Sequence, residues 1–158
     1  MQINYLKGDA TKPQGDGPKY IVHVCNDIGA WGKGFVLALS RRWAAPEKEY
    51  RKSFRRTMIP ILGEIQLVPV ADDITVVNMV AQRGIRPSND GPPIKYPALE
   101  RCLRKVAQHI KESGKPVSIH MPRIGAGLAG GDWKKIEQII KDQLVSQGIE
   151  VTVYDLPR

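Results

Sequence analysis

Residues 23–43, HVCNDIGAWGKGFVLALSRRW, run from an apolar segment through a turn holding Gly29, Gly32 and Gly34 into a segment of helical period. Phe35, Leu39 and Trp43 recur at i, i+4 and i+8, which predicts a helix over 35–43 beginning where the glycines end. Glycine ahead of a helix lets a backbone approach phosphate, because the first helical N–H groups are free and that end of the dipole is positive. The same glycines also make ordinary turns. Neither standard nucleotide motif fits. The spacing is GxxGxG rather than GxGxxG, and Phe35 stands where a P-loop needs Lys followed by Ser or Thr.

Outward from this stretch, INYLKG, YIVHVC, EIQLVPV, ITVVNMVA, VSIHM and EVTVYDL read as β-branched strands closed by Gly, Pro, Asp or Asn. Several are apolar on both faces, so helices must cover both sides of one sheet. Residues 46–57 predict a second helix, with Pro46 in its first turn and Tyr50 paired with Phe54. Residues 97–112 predict a third, with Leu99, Cys102, Leu103, Val106 and Ile110 on one stripe ahead of Gly114. Asp132 sits as N-cap to a fourth, carrying Ile136, Ile140 and Leu144 and stopped by Gly148. The expected fold class is therefore α/β, in three layers around a mixed, largely parallel sheet of about six strands. Residues 1–158 are read as one domain.

The fourth helix is preceded by a second glycine loop, HMPRIGAGLAGGDW, again strand, glycines, helix. Parallel strands would bring both loops to one end of the sheet, the end where ligands of α/β folds sit, and Asp9 closes the first strand there. Two such loops can hold a diphosphate between them. The long segment 83–95, RGIRPSNDGPPIK, is expected over that site.

Lys and Arg number 24 against 16 Asp and Glu, a formal charge of +8 that suits an anionic partner. Arg41, Arg42, Lys48, Arg51, Lys52, Arg55 and Arg56 gather much of it, either as a phosphate-tracking surface or as a solvated helix face. Cys25 and Cys102 lack CxxC spacing and read as buried thiols. No ligand cluster suggests a metal, no cofactor is expected, and no run is long enough to span a membrane. A cytoplasmic monomer is the expectation.

YLKGD, HVCNDIGAWGKG, MPRIGAGLAGGDW and VTVYDL resemble, in order and spacing, the macrodomain family of ADP-ribose-binding proteins. The branch most resembled is that of the ADP-ribose 1''-phosphate phosphatases and terminal ADP-ribose protein glutamate hydrolases. The first is suggested by the CN, WG and downstream Glu47-Lys48-x-Tyr50 pattern, the second by MPRIG.GL. The resemblance implies that Asp9 meets the adenine amino group and that Asn26, Gly32 and Gly34 meet the distal ribose and diphosphate. It also implies that Gly125, Ala126, Gly127 and Leu128 cradle phosphate and that Leu156 closes the adenine pocket. Trp31, Lys33, Gln82 and Ile124 complete the binding set, with Trp31 either walling the distal pocket or packing onto the first helix.

The lysine and aspartate of the glutamate hydrolases are not matched. Their neighbourhoods read Val80-Ala81-Gln82-Arg83 and Leu128-Ala129-Gly130. A guanidinium stays protonated and does not attack a sugar carbon, so Arg83 is no substitute. Catalytic candidates are thus His23, Asn26 and Asp27. Strand alternation sets His23 with Cys25 and Val24 with Asn26, and Asp27 is carried by the loop. His23 and Asp27 also have structural readings, as a core histidine and a turn aspartate. The expected function is binding of ADP-ribose with processing of a small derivative, either removing a 1''-phosphate or cleaving an ADP-ribosyl ester. A non-catalytic reader is the alternative, with ADP-ribosylated protein or nucleic acid as further partners.

Overall fold

The computed structural model describes residues 1–57 and 61–157, with backbone alone over 54–57. The predicted Tyr50–Phe54 pairing and the side chains of Arg55 and Arg56 fall outside the described residues. All six predicted strands form: β1 Asn4–Lys7, β2 Lys19–Asn26, β3 Ile65–Ala71, β4 Ile74–Gln82, β5 Ser118–Met121 and β6 Val151–Asp155. They make one sheet in the order β1-β6-β5-β2-β4-β3. Every pairing is parallel except β3 with β4, which are joined by the tight turn at Asp72-Asp73.

Four helices form close to their predicted bounds: α1 Phe35–Arg42, α2 Ala45–Thr57, α3 Tyr96–Ser113 and α4 Trp133–Gln143. Gly114 and Gly148 take the left-handed conformation (φ +67° and +77°) that ends a helix without a Cβ clash. Asp132 caps α4 by accepting from the Lys134 N–H.

The central strands β2, β4 and β6 are buried on both faces while the edge strand β1 is exposed, and alternation along β2 divides its side chains between two cores. Tyr20 and Val22 join the larger one, with Leu99, Leu103 and Val106 of α3 and Ile136 and Ile140 of α4. Ile21 and Cys25 join the smaller one, with Leu39 of α1, Tyr50 of α2 and Trp31. Three layers follow from that division. Among the described residues no helix is long and apolar enough to cross a membrane.

Candidate functional site

Because β1, β6, β5, β2 and β4 run parallel, the segments after them meet at one sheet end. Both glycine loops are there. Between them lies a cleft of about 280 Å³, walled by Lys33, Gly34 and Phe35 on one side and by Ile124, Gly125, Gly127 and Leu128 on the other. His23, Val24 and Gln82 also line it. Leu128 bridges the loops, its Cδ1 3.4 Å from where a Cβ on Gly34 would stand.

The second loop is held from behind. Gly131 N–H donates to Gly125 O at 2.7 Å, closing the loop on itself. A Cβ on Gly131 would come within 2.6 Å of that oxygen and 2.8 Å of Ile136 Cδ1. Segment 83–95, expected over the site, instead supplies part of this backing. Ile94 N–H donates to Ala129 O, Ile94 packs against Gly125, and Pro92 packs against Gly130. None of residues 83–95 lines the cleft. Its ends are tied by Arg83 N–H to Pro93 O and its middle by a Ser88–Gly91 bridge.

The first loop is shaped by the residues proposed for catalysis. Asn26 Oδ1 accepts from Ile28 N, Ala30 N and the Tyr50 hydroxyl, and its amide donates to Ala30 O. Its side chain therefore holds the turn together. Alternation along β2 also fails at this point. The β2–β4 register shifts between Cys25 and Asn26, and Asn26 bonds Tyr50 of the smaller core instead of following Val24. Asp27 Oδ1 accepts from Gly84 N at 2.8 Å, tying this loop to the segment after β4, and Asp27 does not line the cleft. Both roles follow from free backbone N–H groups in a turn, which a sequence does not locate.

Trp31 resolves toward packing. It is 6% exposed, its ring lies 5.5 Å from those of His23 and Tyr50, and its Nε1 donates to Ser40 Oγ of α1. It is not among the residues that line the cleft. Ser40 in turn donates to Glu47, whose carboxyl is held below its ordinary range chiefly by Arg51.

His23 lies beneath Phe35 at the floor of the cleft, 1% exposed. Its register partner on β4 is Asn78, whose amide nitrogen donates to Pro46 O and Gln66 Oε1. Those two acceptors fix the amide, so Asn78 Oδ1 faces His23 Nε2 at 2.5 Å and that nitrogen carries the proton. Nδ1 is then a bare acceptor and has no hydrogen-bond partner. Burial pushes the imidazole down to about 4, against the opposing pull of Asn78, so it is neutral at physiological pH.

Asp9 holds a turn, Oδ1 accepting from the Thr11 N–H and hydroxyl at 2.8 and 2.7 Å. Leu156 is 71% exposed at the end of β6. Gly32 and Lys33 are exposed, Lys33 in the cleft wall, and Ala126 lies within the second glycine loop. Arg41, Arg42, Lys48, Arg51 and Lys52 face solvent as a helix surface would, with Arg51 paired to Glu47. Cys25 and Cys102 are free and buried, and burial drives both thiols up, Cys102 to about 12. Among the described residues no cluster of His, Cys, Asp or Glu is placed to hold a metal ion. The sequence reading overlooked Arg123, which lines the cleft two residues beyond β5 and forms a two-bond ion pair with Asp155.

Comparison with known proteins places this architecture. The mouse chromodomain-helicase-DNA-binding protein 1-like is 36% identical over 99% of this chain, which spans only 18% of that relative's length. The ADP-ribose 1''-phosphate phosphatase of Saccharomyces cerevisiae is 24% identical, over 98% of each chain. Among solved structures, a macrodomain protein of Streptomyces coelicolor superposes with TM-score 0.85 at 46% identity, over 98% of this chain and 99% of its own. A Bacteroides thetaiotaomicron protein does so with TM-score 0.93 at 52% identity, over 99% of each. The Macro domain family description matches residues 22–140. The chain belongs to the macrodomain family.

Proposed function

We propose that the cleft binds ADP-ribose, with the diphosphate between the two glycine loops. The observation that carries this is the facing of Lys33-Gly34-Phe35 and Gly125–Leu128 across one cleft at the carboxyl end of a parallel sheet. Gly127 has open space where a Cβ would stand, so ligand atoms can come close to its backbone. Lys33 adds positive charge at the rim. Titration calorimetry with ADP-ribose tests the reading, and absence of saturable binding would end it.

A second reading, hydrolytic removal of a group from the distal ribose, rests on His23. His23 lies at the floor of the cleft, and its Nδ1 is buried there without a hydrogen-bond partner. A neutral imidazole acceptor can take a proton from water during attack on a phosphate or ester. Product release from ADP-ribose 1''-phosphate, O-acetyl-ADP-ribose and glutamyl-ADP-ribosylated protein separates the cases. Turnover of any one, lost in His23→Gln, supports hydrolysis. No turnover alongside firm binding identifies a reader.

A further inference from the structure

The Glu47-Lys48-x-Tyr50 run of α2 reaches the first glycine loop twice. Glu47 and Tyr50 are three residues apart and share a helix face. Tyr50 bonds Gly29 N and Asn26 directly. Glu47 acts at one remove. Its Oε1 accepts from the Ser40 hydroxyl at 3.0 Å, and Ser40 Oγ accepts the Trp31 indole N–H at 2.8 Å. Its Oε2 accepts from Arg51 Nε at 2.8 Å, and Arg51 Nη1 lies 3.5 Å from Gly29 O. A chain of polar contacts thus leaves the loop at Trp31, passes through α1 and α2, and returns at Gly29.

The part of the loop beyond Trp31 faces the cleft, where Lys33 and Gly34 form the wall. Among the described residues, Gly32 and Lys33 make no hydrogen bond of their own, and both are exposed. Their position is set from either side, by Trp31 before them and by α1 after them, where Gly34 O accepts from Leu37 N at 3.1 Å. Packing against His23 and Tyr50 buries the indole, but such attraction has little direction. The bond to Ser40 supplies the direction. A serine hydroxyl rotates to suit its neighbours, and an acceptor at Glu47 turns its proton away so that a lone pair meets the indole N–H. Arg51 in turn holds Glu47 ionised and therefore purely an acceptor.

We propose that Glu47 is a positioning residue for the ligand cleft: through Ser40 it aims the Trp31 indole and so presets the Gly32-Lys33-Gly34 wall. This rests on the ADP-ribose reading above. A wall already in place gives up less freedom when the ligand arrives, and binding is tighter for it.

The test titrates ADP-ribose calorimetrically into wild type, Glu47→Ala, Ser40→Ala and Glu47→Gln, and follows deuterium exchange of the Trp31 indole N–H by NMR. Glu47→Ala and Ser40→Ala are expected to weaken binding about tenfold and to speed indole exchange. The double variant should lose no more than the stronger single, because both act through one indole. Glu47→Gln keeps an oxygen for the Ser40 hydroxyl and should lose less than Glu47→Ala. Circular dichroism checks that each variant is folded at the titration temperature. Glu47→Ala, at a side chain 34% exposed, carries the test if Ser40→Ala unfolds. Unchanged affinity in the folded variants overturns the proposal whatever their melting temperatures, since the network then serves stability alone. So does weaker binding with indole exchange as in wild type. Wild type that binds no ADP-ribose ends the reading on which the proposal rests, and the proposal with it, a result separate from any change among the variants.

Discussion

The Tyr50 hydroxyl of α2 accepts from Gly29 N at 3.0 Å and lies 2.6 Å from Asn26 O and 2.8 Å from Asn26 Oδ1, to which it donates. One buried phenol thus joins the end of β2 to the glycine loop that follows. Tyr50→Phe keeps the ring in its core and removes the three contacts. We expect a loss of about 1–3 kcal/mol in stability, the ordinary cost of orphaning buried polar groups. ADP-ribose affinity should fall with it. An unchanged denaturation midpoint would show that the loop holds its shape by other means.

Gly131 and Gly127 sit in one loop and should respond oppositely. Gly131→Ala puts a Cβ 2.6 Å from Gly125 O, a backbone atom, so the loop must shift. Thermal stability should drop measurably, because a buried overlap of this kind costs about 1–3 kcal/mol. A Cβ on Gly127 meets nothing within 4 Å, so Gly127→Leu should leave the melting temperature in place. Equal melting shifts for the two variants would contradict the packing described.

Acid should weaken the fold through its histidines. His23 is held neutral by burial, its folded value lowered from 6.5 to about 4. Between those values the unfolded chain binds the proton and the folded chain does not. The contribution is complete above about pH 6.5 and is lost as pH falls toward 4, roughly 3 kcal/mol across the window. His120, also lowered to about 4 by burial, acts in the same direction. Urea midpoints measured from pH 7 to 4.5 should decline steadily, and less steeply in His23→Gln. A slope identical to wild type would place the proton uptake elsewhere.

Asp9 serves its own turn through Oδ1, which accepts from the Thr11 N–H and hydroxyl. Under the ADP-ribose reading its second oxygen meets the adenine amino group. Asp9→Asn retains an oxygen for the turn and should lower affinity for ADP-ribose severalfold while sparing ribose 5-diphosphate, which lacks the base, as competition binding would show.

Much of this was legible in the chain. The strands showed as β-branched runs and the helices as apolar stripes, because two cores demand those periods. Asp132 and Gly114 were recognisable because capping is local, whereas α4 ends at Gln143 and Gly148 closes the short 3-10 turn Val145–Gln147 that follows it. What was not legible depends on contacts between distant segments. Asn26 and Asp27 looked like chemistry because their partners, Tyr50 and Gly84, are set by the packing of α2 and the path after β4. Trp31 left two outcomes open until Ser40 was seen to take its N–H. Arg123 gave no signal because its partner Asp155 comes from a separate element. Segment 83–95 was read as a cover for the site, but its Ile94 and Pro92 face the back of the second glycine loop.

Calorimetric titration of ADP-ribose into wild type and Gly127→Leu tests the central claim most directly. The account predicts saturable one-to-one binding to wild type and its loss in a variant that melts at the same temperature. No saturable heat with the folded wild type, or undiminished binding by the folded variant, would contradict it.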